Sequence, residues 1–155
     1  MSQKITATHE RVDDRPVIIA QLEKMRVAEL LDDHFPTTGN WTGLRLGWVS
    51  VVWGTFMLSE GDHRLSHVEQ WVKEPQRTLR RCPGRRVKPR DGTDDRLAPV
   101  RDALSVTENW VACERALNQS VMRVYTLQAH MVRVDSTTGS ACITRCRKRT
   151  MSARP

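Results

Sequence analysis

The chain has 155 residues, 39% of them hydrophobic and 28% charged, a balance that excludes an intrinsically disordered protein. Its longest apolar stretch, Leu44 to Leu58, is interrupted by Arg45 and falls short of the roughly 20 residues that cross a bilayer, so no membrane partner is expected. The formal net charge of +7 points to a polyanionic partner without separating DNA, RNA and an anionic membrane surface.

Residues 1–12 read as an extended, polar lead-in without a secretory signal. Asp14 can cap a first helix with Pro16 in its opening turn, where the missing N–H does no harm. Val17, Ile18, Leu22 and Met25 follow at helical spacing. A second short helix carries Val27, Leu30 and Leu31 and stops before Pro36, and Thr37 to Asn40 is a turn by composition. A central helix from about Gly43 to Ser59 is apolar on several faces, which predicts burial on several sides. Four of the five tryptophans lie between Trp41 and Trp71, so the core is expected around Trp48, Val52, Trp53 and Phe56. Gly47 and Gly54, seven apart, predict a face open to close approach by another helix.

A fourth helix, roughly Arg64 to Val72, ends before Pro75. The stretch from Gln76 to Arg90 has no acidic residue and holds Arg77, Arg80, Arg81, Arg85, Arg86, Lys88 and Arg90. Its prolines and Cys-Pro-Gly turn predict a short helical piece followed by a basic loop. Such a run is either a solvated surface or a contact for a nucleic-acid backbone. Thr93 or Asp94 can cap the next helix, in which Pro99 predicts a kink or a late start. Thr107 opens a further helix with Trp110, Val111, Ala116 and Leu117. The period then changes: His130 to Asp135 runs in strand fashion and ends on an acid followed by Ser136-Thr137-Thr138.

Other candidate groups have plainer readings. His63 and His67 are four apart and can share a helix face as zinc ligands do, but no third ligand accompanies them, which favours a structural or capping role. Cys82, Cys113, Cys142 and Cys146 form no convincing disulfide framework or zinc site, and a reducing cytoplasm is the default. The pairs Asp13-Asp14, Asp32-Asp33 and Asp94-Asp95 fall at predicted helix boundaries, where capping and macrodipole effects account for them. The tryptophans suit core packing better than base stacking.

Several segments, in order, carry a resemblance: Glu10 to Asp14, Leu30 to Pro36, Gly39 to Trp41, Leu46 to Trp53, Leu58 to Leu65, Asp94 to Leu97, Ala116 to Gln119, Arg123 to Tyr125, and Val132 to Thr138. Over about residues 9 to 141 the chain resembles the N-terminal part of bacterial insertion-sequence DDE transposases. The resemblance implies a mainly α fold: a helical N-terminal domain over residues 1–128, then over 129–141 the first strand of an RNase H-like catalytic domain. It makes Asp135 the first acid of the DDE triad, a ligand in the parent enzyme for paired Mg²⁺ ions that drive phosphoryl transfer on DNA. The other two acids belong downstream, so a fragment inactive in strand cleavage is expected. Residues 142–155 depart from the pattern and read as a basic tail, out of frame: Arg147 to Met151 can be encoded so that a neighbouring frame reads Gly-Asn-Gly-Leu. Implied partners are insertion-sequence DNA ends and, for the fragment, a second copy or the full-length transposase, which it would inhibit. The rival expectation is a non-catalytic basic helical module that binds nucleic acid or protein.

Overall fold

The computed structural model describes residues 9, 12–37, 39–74, 76–81 and 86–128, with the backbone alone for 76, 80 and 81. Among them the fold is mainly α, with seven α-helices and no strand. They are α1 (Arg15–Lys24), α2 (Val27–His34), α3 (Leu46–Glu60), α4 (Leu65–Lys73), α5 (Gln76–Arg81), α6 (Asp94–Leu104) and α7 (Thr107–Val124), with a 3₁₀ turn, Pro89–Gly92, ahead of α6. The expected strand at 130–135 and the tail at 142–155 lie outside the described residues. No described helix is long and apolar enough to cross a membrane.

Helix α3 is the centre of the packing, with α1, α2, α4, α6 and the 3₁₀ turn against it. Leu46, Trp48, Val49, Val51, Val52 and Phe56 are all buried along it, as its all-round apolarity predicts. Trp53 is only partly buried, so the expected core is met at Trp48, Val52 and Phe56 and is looser at Trp53. Val68 and Val72 of α4, Leu79 of α5, Val87, and Leu97 and Val100 of α6 complete it.

A close helix approach lies at Gly47, where a Cβ would sit 1.9 Å from the Ala28 carbonyl oxygen. That contact lets the α2 backbone lie directly on α3. Gly54 has no such neighbour, so only one of the two expected glycines marks a crossing. The central helix also starts later than expected, at Leu46. Gly43 has a left-handed φ of +84°, which no helix interior accommodates.

Helix α1 meets the expected stripe in part, with Leu22 packed against the core and Ile18 and Met25 half-buried. Val17 is exposed, while Arg15 and Ile19 are buried, one turn apart. Arg15 wins its place by an ion pair of 2.9 Å to Glu60, and its guanidinium lies 5.0 Å from the centroid of the Trp71 ring. The Trp71 indole N–H donates to the same Glu60 oxygen at 2.9 Å, so one carboxylate ties α1, α3 and α4 together. Asp14 stands at the α1 N-cap without a side-chain capping bond and instead accepts from the Ser59 hydroxyl at 2.6 Å.

The Asp32-Asp33 pair corrects a second expectation. It sits in the last turn of α2, the unfavourable end of that helix for negative charge. Asp32 serves the next helix instead: its carboxylate accepts from the Gly47 N–H at 2.7 Å and so caps α3 from α2. Helix α6 passes through Pro99 to Leu104, neither stopped nor delayed by it. Helix α7 packs on α2 and α6, with Trp110 edge-on to Phe35 at 4.9 Å and Ser120 donating to the Met25 carbonyl at 2.8 Å. Cys113 faces inward on it, whereas Val111, expected on the packed face, is exposed.

A candidate basic cleft

Val87 is buried between two exposed cations, Arg86 and Lys88, and the 3₁₀ turn that follows packs on α4. Lys88 is extended, with φ −114° and ψ 155°. The 3₁₀ turn then brings Arg90 to the surface. Its geometry is held by Asp91, buried to 7% exposure, whose carboxylate accepts from the Lys88 N–H at 2.8 Å.

Facing this segment is the 41–45 loop. Between them lies a cleft of about 860 Å³, lined by Thr42, Gly43, Leu44 and Arg45 on one side and by Arg86, Lys88, Arg90 and Asp91 on the other, with Thr93, Asp95 and Arg96 from the start of α6. Five cations thus meet two acids. Asp91 is committed to its own turn, and Asp95 lies in the first turn of α6, where the helix N-terminus favours negative charge.

Arg96 differs from the other four cations. Its Nη2 donates to the carbonyls of Thr42 and Leu44 at 2.5 and 2.6 Å, and its guanidinium carbon lies 3.8 Å from the centroid of the Trp41 ring. Burial pushes its pKa below the ordinary guanidinium value; Asp91 opposes that fall and Arg90 adds to it. It remains a cation at every physiological pH. Arg45, Arg86, Lys88 and Arg90 are exposed.

Of the seven cations singled out in the sequence, Arg86, Lys88 and Arg90 line the cleft and Arg77 does not. Arg80 and Arg81 belong to α5, but their side chains are outside the described set, as are Arg85 and Asp135 altogether. Arg45 and Arg96 were missed. A lone arginine interrupting the apolar run at 44–58 is the one available signal for Arg45; nothing local marks Arg96.

The described residues hold no group of three or more His, Cys, Asp and Glu able to bind a metal ion. His63 and His67 do not share a helix face, because His63 precedes α4. His67 Nδ1 instead lies 2.8 Å from an Asp62 oxygen. No tryptophan lines the cleft among the described residues; Trp41 lies beside it, with Arg96 on one face of its ring. No protein-family model, curated protein or solved structure matches this chain.

Proposed function

We propose that the chain is the DNA-binding helical region of a bacterial insertion-sequence transposase and that it grips the phosphate backbone in the cleft between the 41–45 and 86–93 segments. The supporting observation is the convergence of Arg45, Arg86, Lys88, Arg90 and Arg96, from three separate stretches of chain, on one cleft. Such a cleft binds phosphates through charge and carries little sequence information of its own. With a face of Trp41 covered by Arg96, base stacking is not its main mode.

The remainder of the reading rests on the ordered resemblance. The DNA held here would be delivered, in the cytoplasm, to an RNase H-like centre in which Asp135 is the first of three acids around Mg²⁺. The metal supplies Lewis-acid activation there. The residues of the cleft hold and orient the strand and take no part in the bond change. On this reading the chain binds DNA without cutting it, and a second copy or the full-length transposase is its natural protein partner.

The test is a salt titration of duplex-DNA binding by fluorescence anisotropy. Four exposed cations, Arg45, Arg86, Lys88 and Arg90, predict a slope of log K against log salt of about −3.6. Replacing Arg86, Lys88 and Arg90 together by Gln should leave a slope of about −0.9. A binding constant indifferent to salt, or a triple variant with the parental slope, overturns the proposal.

A further inference from the structure

We propose that Arg96 is a positioning residue of the cleft, which clamps the 41–45 loop so that Arg45 faces the phosphates, and that it does not touch phosphate itself. This rests on the reading of the cleft as a phosphate-backbone site.

Arg96 is held by several contacts among the described residues. One nitrogen, Nη2, serves both the Thr42 and the Leu44 carbonyls. Two carbonyls separated by one residue converge on a single donor here because Gly43 between them is left-handed, at φ +84°. A Cβ at Gly43 would lie 3.7 Å from Nη2, ordinary contact, so the φ and not the space calls for glycine. The Leu44 carbonyl also accepts from the Trp41 indole N–H at 2.9 Å, and the Trp41 ring carries the guanidinium on its face. Loop, ring and guanidinium close into one unit.

That unit leaves Arg96 poorly placed as a phosphate ligand. Its Nε is buried and has no partner among the described residues, so that edge does not face the cleft. A phosphate competing for Nη2 would take the Arg96 donor from the Thr42 carbonyl and leave the Leu44 carbonyl with the Trp41 N–H alone. Arg45 is the next residue after Leu44, is exposed, and stands immediately before α3. Wherever the Leu44 carbonyl is held, Arg45 is held too. Lysine would not substitute, because the clamp uses a planar group that stacks and donates in one plane.

The experiment combines a double-mutant cycle with hydrogen exchange on the free protein. Wild type, Arg45→Gln, Arg96→Gln and the double variant are titrated with salt against a random-sequence DNA duplex. If Arg96 acts through Arg45, each single variant and the double variant all lose about 0.9 from the slope. A double variant that loses about 1.8 makes Arg96 an independent phosphate ligand and overturns the proposal. In the absence of DNA, exchange of the Gly43 to Arg45 amides should accelerate at least roughly tenfold in Arg96→Gln and not in Arg45→Gln. Trp41→Leu, which removes the stacking face and leaves the guanidinium in place, should accelerate the same amides. Unchanged exchange in both loop variants overturns the clamp. If wild type binds no DNA, the reading of the cleft fails, while the exchange data still decide whether the clamp exists.

Discussion

The helical core and the walls of the cleft are built on different principles. In the core, Leu46, Val49, Val68, Val72, Leu97 and Val100 are all at or below 1% exposure, and stability is spread over many small contacts. The cleft walls lie mostly outside the α-helices, in the 41–45 loop, the 86–88 segment and the 3₁₀ turn, with only the first turn of α6 beside them. The 41–45 loop and the 86–88 segment are held by single bonds: Asp91 to the Lys88 N–H, Arg96 to two carbonyls, Trp41 to one of them. A core of that kind absorbs a lost methyl group locally. A wall of this kind moves as a whole when one bond is lost, so substitutions that separate stability from binding test the distinction.

The largest effect on the core is expected from Gly47→Ala. The added Cβ would meet a backbone carbonyl at 1.9 Å, and backbone cannot rotate away, so α2 and α3 have to separate. Overpacking of this severity costs about 3 kcal/mol. A urea denaturation midpoint close to that of wild type would break the account of the α2–α3 crossing. The molecules that remain folded should keep the parental salt slope, because none of the four exposed cleft cations packs on Gly47.

The two regions also differ in how far the sequence reveals them. Four helix positions follow from periodicity and punctuation: Pro16 opens α1, Pro36 closes off α2, Pro75 follows α4, and Thr107 starts α7. At the start of α1, pattern alone ranks Val17 above Arg15, and there the expectation fails, while Leu22 packs on the core as expected. Distant partners, the Glu60 carboxylate 45 residues away in the chain and the Trp71 ring, make an arginine a core residue there. Half of the cleft was legible, since Arg86, Lys88 and Arg90 stand in a run without acids. The opposing half was not, because Arg45 and Arg96 reach the cleft only through the packing of α3 against α6. Contacts between residues 52 apart, such as Arg96 to Leu44, leave no local signature.

Asp32→Ala sharpens the comparison, because Asp32 belongs to the core and lies near the cleft. Its carboxylate caps α3 through the Gly47 N–H, and it shares a smaller hollow with Glu29, Asp33, Arg45 and Trp48. Losing the cap should cost about 1 kcal/mol of unfolding free energy. Losing the negative charge beside Arg45 should tighten DNA binding roughly twofold at low salt, the scale of an exposed charge pair. Stability and affinity are thus expected to move in opposite directions. A fall in both would mean that the α3 N-terminus itself shapes the cleft, and the separation drawn between the two regions would be lost.

The smallest effect is expected at the entrance to α4, where Asp62 does for one loop what Asp91 does for the cleft wall. Its carboxylate accepts from the Arg64 guanidinium and from the Arg64 backbone N–H, each at 3.0 Å, with His67 Nδ1 at 2.8 Å. The Arg64 side-chain bond, then its backbone bond, hold the Asp62 pKa well below the usual carboxylate range, with His67 adding to the effect and desolvation opposing it. The Arg64 pKa rises in return. Because the folded pKa is the depressed one, the contribution is complete above the unfolded carboxylate pKa of about 3.9 and is lost as pH falls through the folded value. Nothing should change between neutral and mildly acidic pH. Following the Asp62 carboxyl carbon by NMR should show it ionised where a free aspartate is already protonated, and a midpoint near 3.9 would exclude the bonded arrangement. Since Asp62 lines a separate hollow with Glu60 and Trp71, Asp62→Asn should leave the salt slope of DNA binding untouched, and a changed slope would place this loop in the cleft's contact surface after all.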